Sequence, residues 1–333
     1  MWVSGETIYL RAFFANWQDG QIRFRKGLPM IDHNKHDYAS PGDARILFDG
    51  GAYIISGISC VPETPLGIHP PPLIVAIHGG TYNSGYFDVA GYSLIQRAAG
   101  LGIPILALDR PGYGQSTALS PSEATIIRNA ERLNYVIGEI WRKFETQAPG
   151  IVLIGHSIGA AIAIAMASHQ PPWPLLGIAT SGVGLTSPPE AGEAWSSLPN
   201  LSMIDLPTPM KDAVMFGPEW TYDRVMPKAS RTADAPVPRA ELIDIVSAWP
   251  ASVRELAAKV TAPVHYRQGE FDKLWITNED EVIQFGKAFS GSPSVDARLL
   301  ASAGHCIDFH RVGVGFQLEQ IGFALRCGVV RGR

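Results

Sequence analysis

The sequence predicts an α/β fold: a mostly parallel central sheet flanked by helices, with a helical cap inserted into it. Three observations carry this. After Pro70-Pro71-Pro72, short β-branched or aliphatic runs alternate with helix-length stretches, as in parallel strands buried under helices on both faces. That rhythm fails between Leu185 and Lys259 and then resumes. A chain of 333 residues, 46% hydrophobic and 17% charged, has the apolar surface to bury one large core.

Taken in order, the polar segment "IDHNKHDYASPGD" reads as loop. The runs "ARILFDG" and "AYIISGISCV", joined at Gly50-Gly51, read as a hairpin of outer strands. Six core strands follow in "LIVAIHGG", "PILALDRPGYG", "GIVLIGHS", "LLGIATSG", "APVHYRQGEFD" and "ARLLASAGH". The helices between and after them are expected over Tyr86–Ala99, Pro121–Phe144, Ile158–His169, Asn278–Phe289 and His310–Arg326. The insert holds four of the seven methionines, with Trp195, Phe216, Trp220, Tyr222 and Trp249. Its many prolines imply several short helices and no core strand. The expected division is a core over 1–184, a cap over 185–259 and the rest of the core over 260–333.

A net charge of −4 offers nothing to attract nucleic acid or an anionic membrane. Neither a signal peptide nor a spanning helix is visible, and three scattered cysteines do not make a disulfide framework. The expectation is a soluble cytoplasmic protein with a small-molecule partner and no metal; the oligomeric state stays open. His33 and His36 have a metal-compatible spacing, but no further ligand stands nearby.

Ser157 interrupts an apolar strand-to-helix passage, in Gly155-His156-Ser157-Ile158-Gly159. A sharp turn there forces the serine into a strained backbone, and glycines two before and two after it remove side chains that would clash. The hydroxyl is then displayed at the sheet's C-terminal edge beside a helix N-terminus. The alternative is a serine that merely caps the helix. As a nucleophile it needs a base. His305, after the last strand run and a glycine, can project over the same edge, whereas His156 packs sideways and His310 lies further into a helix. The base needs an acceptor to fix its tautomer, and "GEFD" offers Asp272, with Glu270 as the fallback. Asp308 reads as a helix start.

The order Ser157…Asp272…His305, the elbow "GHSIG", the loop "DRPGYGQS" and the strand-terminal "HGGT" together resemble the α/β-hydrolase superfamily, over roughly Leu73–Ser181 and Ala262–Arg326. The resemblance implies an oxyanion hole built from the Gly80 and Ile158 N–H groups, a catalytic triad of Ser157, Asp272 and His305, and no cofactor. Asp109 to Gly114 reads as scaffold. "HGGT" lacks the third glycine of hormone-sensitive-lipase-like esterases, and a serine nucleophile disfavours epoxide-hydrolase and dehalogenase chemistry. The expected activity is hydrolysis of a carboxylic ester, lactone or thioester of a small apolar molecule. C–C bond hydrolysis or acyl transfer with the same triad, or a receptor on a hydrolase scaffold, are the alternatives. Tyr82, Met215, Phe216 and Trp220 are the candidate substrate contacts.

Overall fold

The hydrophobic runs assemble into one eight-stranded sheet. The structure, a computed structural model, describes residues 44–49, 53–62 and 69–330. The "IDHNKHDYASPGD" loop, His33, His36 and the Gly50-Gly51 turn lie outside the described residues. The strands are β1 (Ala44–Asp49), β2 (Ile54–Cys60), β3 (Leu73–Ile77), β4 (Ile105–Leu108), β5 (Ile151–His156) and β6 (Leu175–Ser181). After a two-residue pair in the insert, β7 (Met203–Ile204) with β8 (Val237–Pro238), come β9 (Val264–Gly269) and β10 (Val295–Leu300). The sheet order is β1-β2-β4-β3-β5-β6-β9-β10. The β1–β2 and β2–β4 pairings are antiparallel and all the others parallel.

Every residue of β3, β4, β5 and β9 is buried, which explains why β3, β4 and β5 read as near-continuous apolar runs rather than alternating ones; β9 is the exception and buries His265, Arg267 and Gln268. Helix Ile158–Ser168 is buried on all sides, as its unbroken small and aliphatic composition requires. The expected helix over 86–99 is shorter. Asn83 caps a single 3-10 turn, Gly91 takes a left-handed φ of 80°, and Ser93 then caps a new helix from Leu94 to Gly100. Likewise Thr125 caps the next helix, which runs from Ile126 to Trp141 rather than from Pro121. A 3-10 turn at Ile307–Phe309 delays the last helix to Gly313–Val330.

The chain divides into two compact units at Asp43, and residues 44–333, insert included, form one of them. Within the insert, helix Ala248–Ala258 packs on helices Ile158–Ser168 and Glu279–Ala288, so its last part belongs to the layer flanking the sheet. Among the described residues, no helix is long and apolar enough to cross a membrane.

Strand order also places the loops. The chain moves outward from β3 to β4, then crosses back to lay β5 on the other side of β3. Reversals of this kind open a crevice at the strands' C-terminal edge. Because Ile77 pairs with Gly155, the residues after β3 and after β5 emerge side by side.

Candidate active site

Ser157 sits at φ 55°, ψ −123°, a region that L-residues other than glycine avoid and that costs about 1–3 kcal/mol. What holds it there is close packing on both sides. A Cβ on Gly155 would lie 2.6 Å from the Gly159 carbonyl oxygen, and one on Gly159 would lie 2.5 Å from that of His78. The Ser157 N–H continues the sheet by donating to the Ser181 carbonyl at 2.8 Å. Its side chain makes no hydrogen bond to the helix, so the capping alternative has no contact in its favour. Gly159→Ala is therefore expected to destabilise the fold by about 3 kcal/mol, although alanine is the better helix former by up to about 1 kcal/mol. Urea unfolding reads this directly, and an unchanged midpoint would show that the helix can retreat from β3.

The candidate base and acid arrive on neighbouring strands. Leu300 pairs with Gly269, so the turns after β10 and β9 run together, and Phe271 N–H donates to the Ala303 carbonyl at 2.8 Å. A Cβ on Gly269 would stand 2.8 Å from that same oxygen, which is why the position is glycine. His305 Nδ1 lies 2.7 Å from Asp272 Oδ2, and both residues are buried. Asp272 also accepts from Gln268 Nε2 at 2.7 Å and from the Leu274 N–H at 2.9 Å, so the carboxylate is held on three sides. Glu270, the fallback acid, points to solvent and accepts from the Ser302 N–H.

The loop after β3 lies against the elbow. A Cβ on Gly79 would come within 2.9 Å of the Ser157 Cβ, and one on Gly80 within 3.0 Å of the Ile158 side chain. Among the described residues, neither the Gly80 nor the Ile158 N–H donates to another protein group. His78 is buried; desolvation, then the adjacent Arg110 guanidinium, pull its pKa down to about 3, so the ring is neutral. Its hydrogen bonds assign the tautomer: Nδ1–H donates to the Gly79 carbonyl at 2.7 Å, and Nε2 accepts from the Arg110 N–H at 3.1 Å. Thr81, at φ 64°, is a second strained residue; its carbonyl accepts from the Ala235 N–H and from the buried Lys211 ammonium, both of the insert.

Ser157, His305, Gly80 and Ile158 all face one small cavity of about 40 Å³, room for one or two water molecules. Apart from Thr81, the rest of its wall is apolar and comes largely from the insert, including Trp195, Met215, Leu242 and Ile245, with Leu274 and Trp275 from the loop after β9. A wider groove, about 720 Å³, opens at the other end of the strands beside Trp173 and Phe323 and contains none of these residues. A family model described as "Alpha/beta hydrolase family" matches residues 74–314. The chain belongs to that family.

Other comparisons agree with this α/β hydrolase at the level of fold. Protein phosphatase methylesterase 1 of Pongo abelii is 30% identical over 112 residues, 34% of this chain but only 28% of that protein. A thermophilic esterase from Thermogutta terrifontis superposes with a TM-score of 0.62 at 16% identity, over 86% of this chain and 100% of that one. E-2-(acetamidomethylene)succinate hydrolase gives a TM-score of 0.62 at 17% identity, over 85% and 99% of the two chains.

Of the four candidate substrate contacts in the hydrolase, Met215 alone is on the cavity wall. Trp220 is 59% exposed and packs edge-on against Phe271, outside the cavity. Phe216 is buried among Tyr222, Phe309 and His310, and Tyr82 packs on Tyr86 and Phe309 with the Lys211 ammonium 3.4 Å from its ring centre. Aromatic character by itself says neither whether such residues are buried nor where. His156 does pack sideways, stacked on Tyr86. His310, held neutral by burial with a pKa near 4, braces the His305 loop: its Nε2 accepts from the Gly304 and Gly217 N–H groups at 2.9 and 3.0 Å. Asp308 is buried and accepts from Tyr86 and Gln317. Sequence reasoning gave no role to Lys211, Gln268 or Glu241. Among the described residues, no group of three or more His, Cys, Asp or Glu is placed to hold a metal.

Proposed function

We propose that this α/β hydrolase is a serine hydrolase that cleaves a carboxylic ester, lactone or thioester of a small, largely apolar molecule through an acyl-enzyme. The observation that carries this is the buried Asp272–His305 hydrogen bond at the wall of the cavity that also receives the strained Ser157. With Nδ1–H given to Asp272, the His305 Nε2 is the basic nitrogen. It takes the Ser157 proton as Oγ attacks the carbonyl carbon, and Asp272 stabilises the imidazolium. The negative charge moves to the carbonyl oxygen, where the Gly80 and Ile158 N–H groups each offset about 3–4 kcal/mol. His305 then protonates the leaving oxygen or sulfur, and water repeats the sequence on the acyl-serine. Similarity to a methylesterase and to an esterase favours an ester over an amide.

A panel of p-nitrophenyl esters and thioesters tests the substrate class. Each methylene that the apolar wall accepts is worth about 0.8 kcal/mol, or about fourfold in kcat/KM. The rate is expected to climb over the shortest acyl chains and fall once the cavity is full, with charged acyl groups of equal size slower throughout. Met215→Ala should move the break to longer chains, and Trp220→Ala should leave it where it is. A ranking led by charged or peptide substrates would defeat the substrate class while leaving the triad standing.

A further inference from the structure

We propose that Arg110 is a positioning residue of the oxyanion hole: its guanidinium, anchored to the insert by Glu241, fixes and polarises the Gly79–Gly80 peptide. This rests on the reading above, in which the Gly80 N–H receives the oxyanion. Arg110 and Glu241 are both fully buried and joined at 2.7 Å. Two further guanidinium contacts go to the loop after β3: Nε donates to the His78 carbonyl at 2.9 Å, and Nη2 to the Gly79 carbonyl at 3.1 Å. The Tyr113 hydroxyl closes the ring, accepting from Nη2 and donating to Glu241 at 3.0 Å each. Asn129 adds a further donor to Glu241.

The consequence follows from peptide geometry. No peptide bond among the described residues is cis. In a planar trans peptide the C=O and N–H point in opposite directions, so the group that holds a carbonyl also aims the following N–H. The Gly79 carbonyl and the Gly80 N–H belong to one peptide. With Arg110 and the His78 Nδ1–H on its oxygen, that peptide cannot flip without losing two hydrogen bonds, one of them charge-assisted. A cation on the carbonyl also draws electron density from the nitrogen and makes the N–H a stronger donor. Glycine at 79 and 80 would otherwise leave this loop unusually free to turn. A guanidinium has the planar fork to reach two carbonyls and a carboxylate at once; an ammonium does not. Because Glu241 stands on the insert, the oxyanion donor is aimed by the same segment that walls the cavity.

The experiment compares the full-length wild type with the double variant Arg110→Met/Glu241→Met and with Arg110→Lys. Replacing a buried ion pair by apolar residues of similar size avoids an orphaned charge and commonly preserves the fold. Four quantities are read: thermal stability, kcat and KM on p-nitrophenyl acetate, and the inhibition constant of a trifluoromethyl ketone, which binds as an oxyanion. The expected result for the double variant is a kcat about 100-fold lower with KM nearly unchanged, and ketone binding weakened in parallel with kcat/KM. Arg110→Lys should show the same pattern at about tenfold, and it decides the matter by itself if the double variant does not fold. Retention of kcat in Arg110→Lys and in any folded double variant, or a kcat loss with undiminished ketone affinity, would overturn the proposal. Fluorophosphonate labelling of the wild type separates the two levels of argument. An unlabelled Ser157 removes the underlying reading; a labelled Ser157 with unaffected Arg110 variants removes only this inference.

Discussion

Ser157→Ala is expected to lower kcat by about a millionfold, the scale on which loss of one member of a cooperating triad is felt. Fluorophosphonate labelling should disappear with it. The fold should be retained, because the side chain makes no hydrogen bond to its helix and the backbone link to Ser181 survives the change. A companion variant tests the physics of the elbow. Ser157→Gly should be equally inactive yet more stable than Ser157→Ala by about 1 kcal/mol, since only glycine occupies a φ of 55° without strain. Equal stability of the two variants would mean that the elbow stores no strain. Labelling that persists in Ser157→Ala would place the reactive group elsewhere.

Asp272→Asn is expected to reduce kcat by about 10,000-fold near neutral pH, with KM little changed. The surrounding donors explain the size of the effect. The backbone Leu274 N–H demands an acceptor at Oδ1, so the asparagine oxygen is drawn there and its NH₂ takes the Oδ2 place facing His305, where the Gln268 amide, a donor to Asp272, must turn its oxygen inward. His305 Nδ1 then becomes the acceptor, its proton moves to Nε2, and that nitrogen, the base of the proposed mechanism, can no longer take a proton from Ser157. Glu270→Gln, at the solvent-facing carboxylate, should change kcat less than about threefold, within the range of ordinary surface substitutions. Stopped-flow acylation with a chromogenic ester reads both variants. If Glu270→Gln proved the more damaging, the Asp272–His305 hydrogen bond would not be the one that matters for turnover.

How much of this was legible beforehand depended on the range of the interactions involved. Sequence alone determined the strand runs, their parallel arrangement and the elbow, because burial on both faces and a clash two residues away leave their mark within a few positions. Gly155 and Gly159 are the clearest instance: the collisions they avoid are with their own turn and the adjoining β3. Helix ends were read less well. Gly91, Ser93 and Thr125 stop or start helices through backbone conformation and single caps, which compete with a hydrophobic pattern that runs past them. Only the tertiary structure decided which carboxylate meets His305, since Glu270 and Asp272 differ by two residues in a turn whose direction is set by the neighbouring β10 loop. It alone decided that Met215 lines the cavity while Trp220 does not. The buried cations were the least visible of all. Arg110 meets Glu241 across 131 residues, and Lys211 meets the Thr81 carbonyl across 130. A buried charge is tolerated only where a partner is delivered to it, and delivery depends on how the insert folds back over the sheet, a long-range event that no local pattern records.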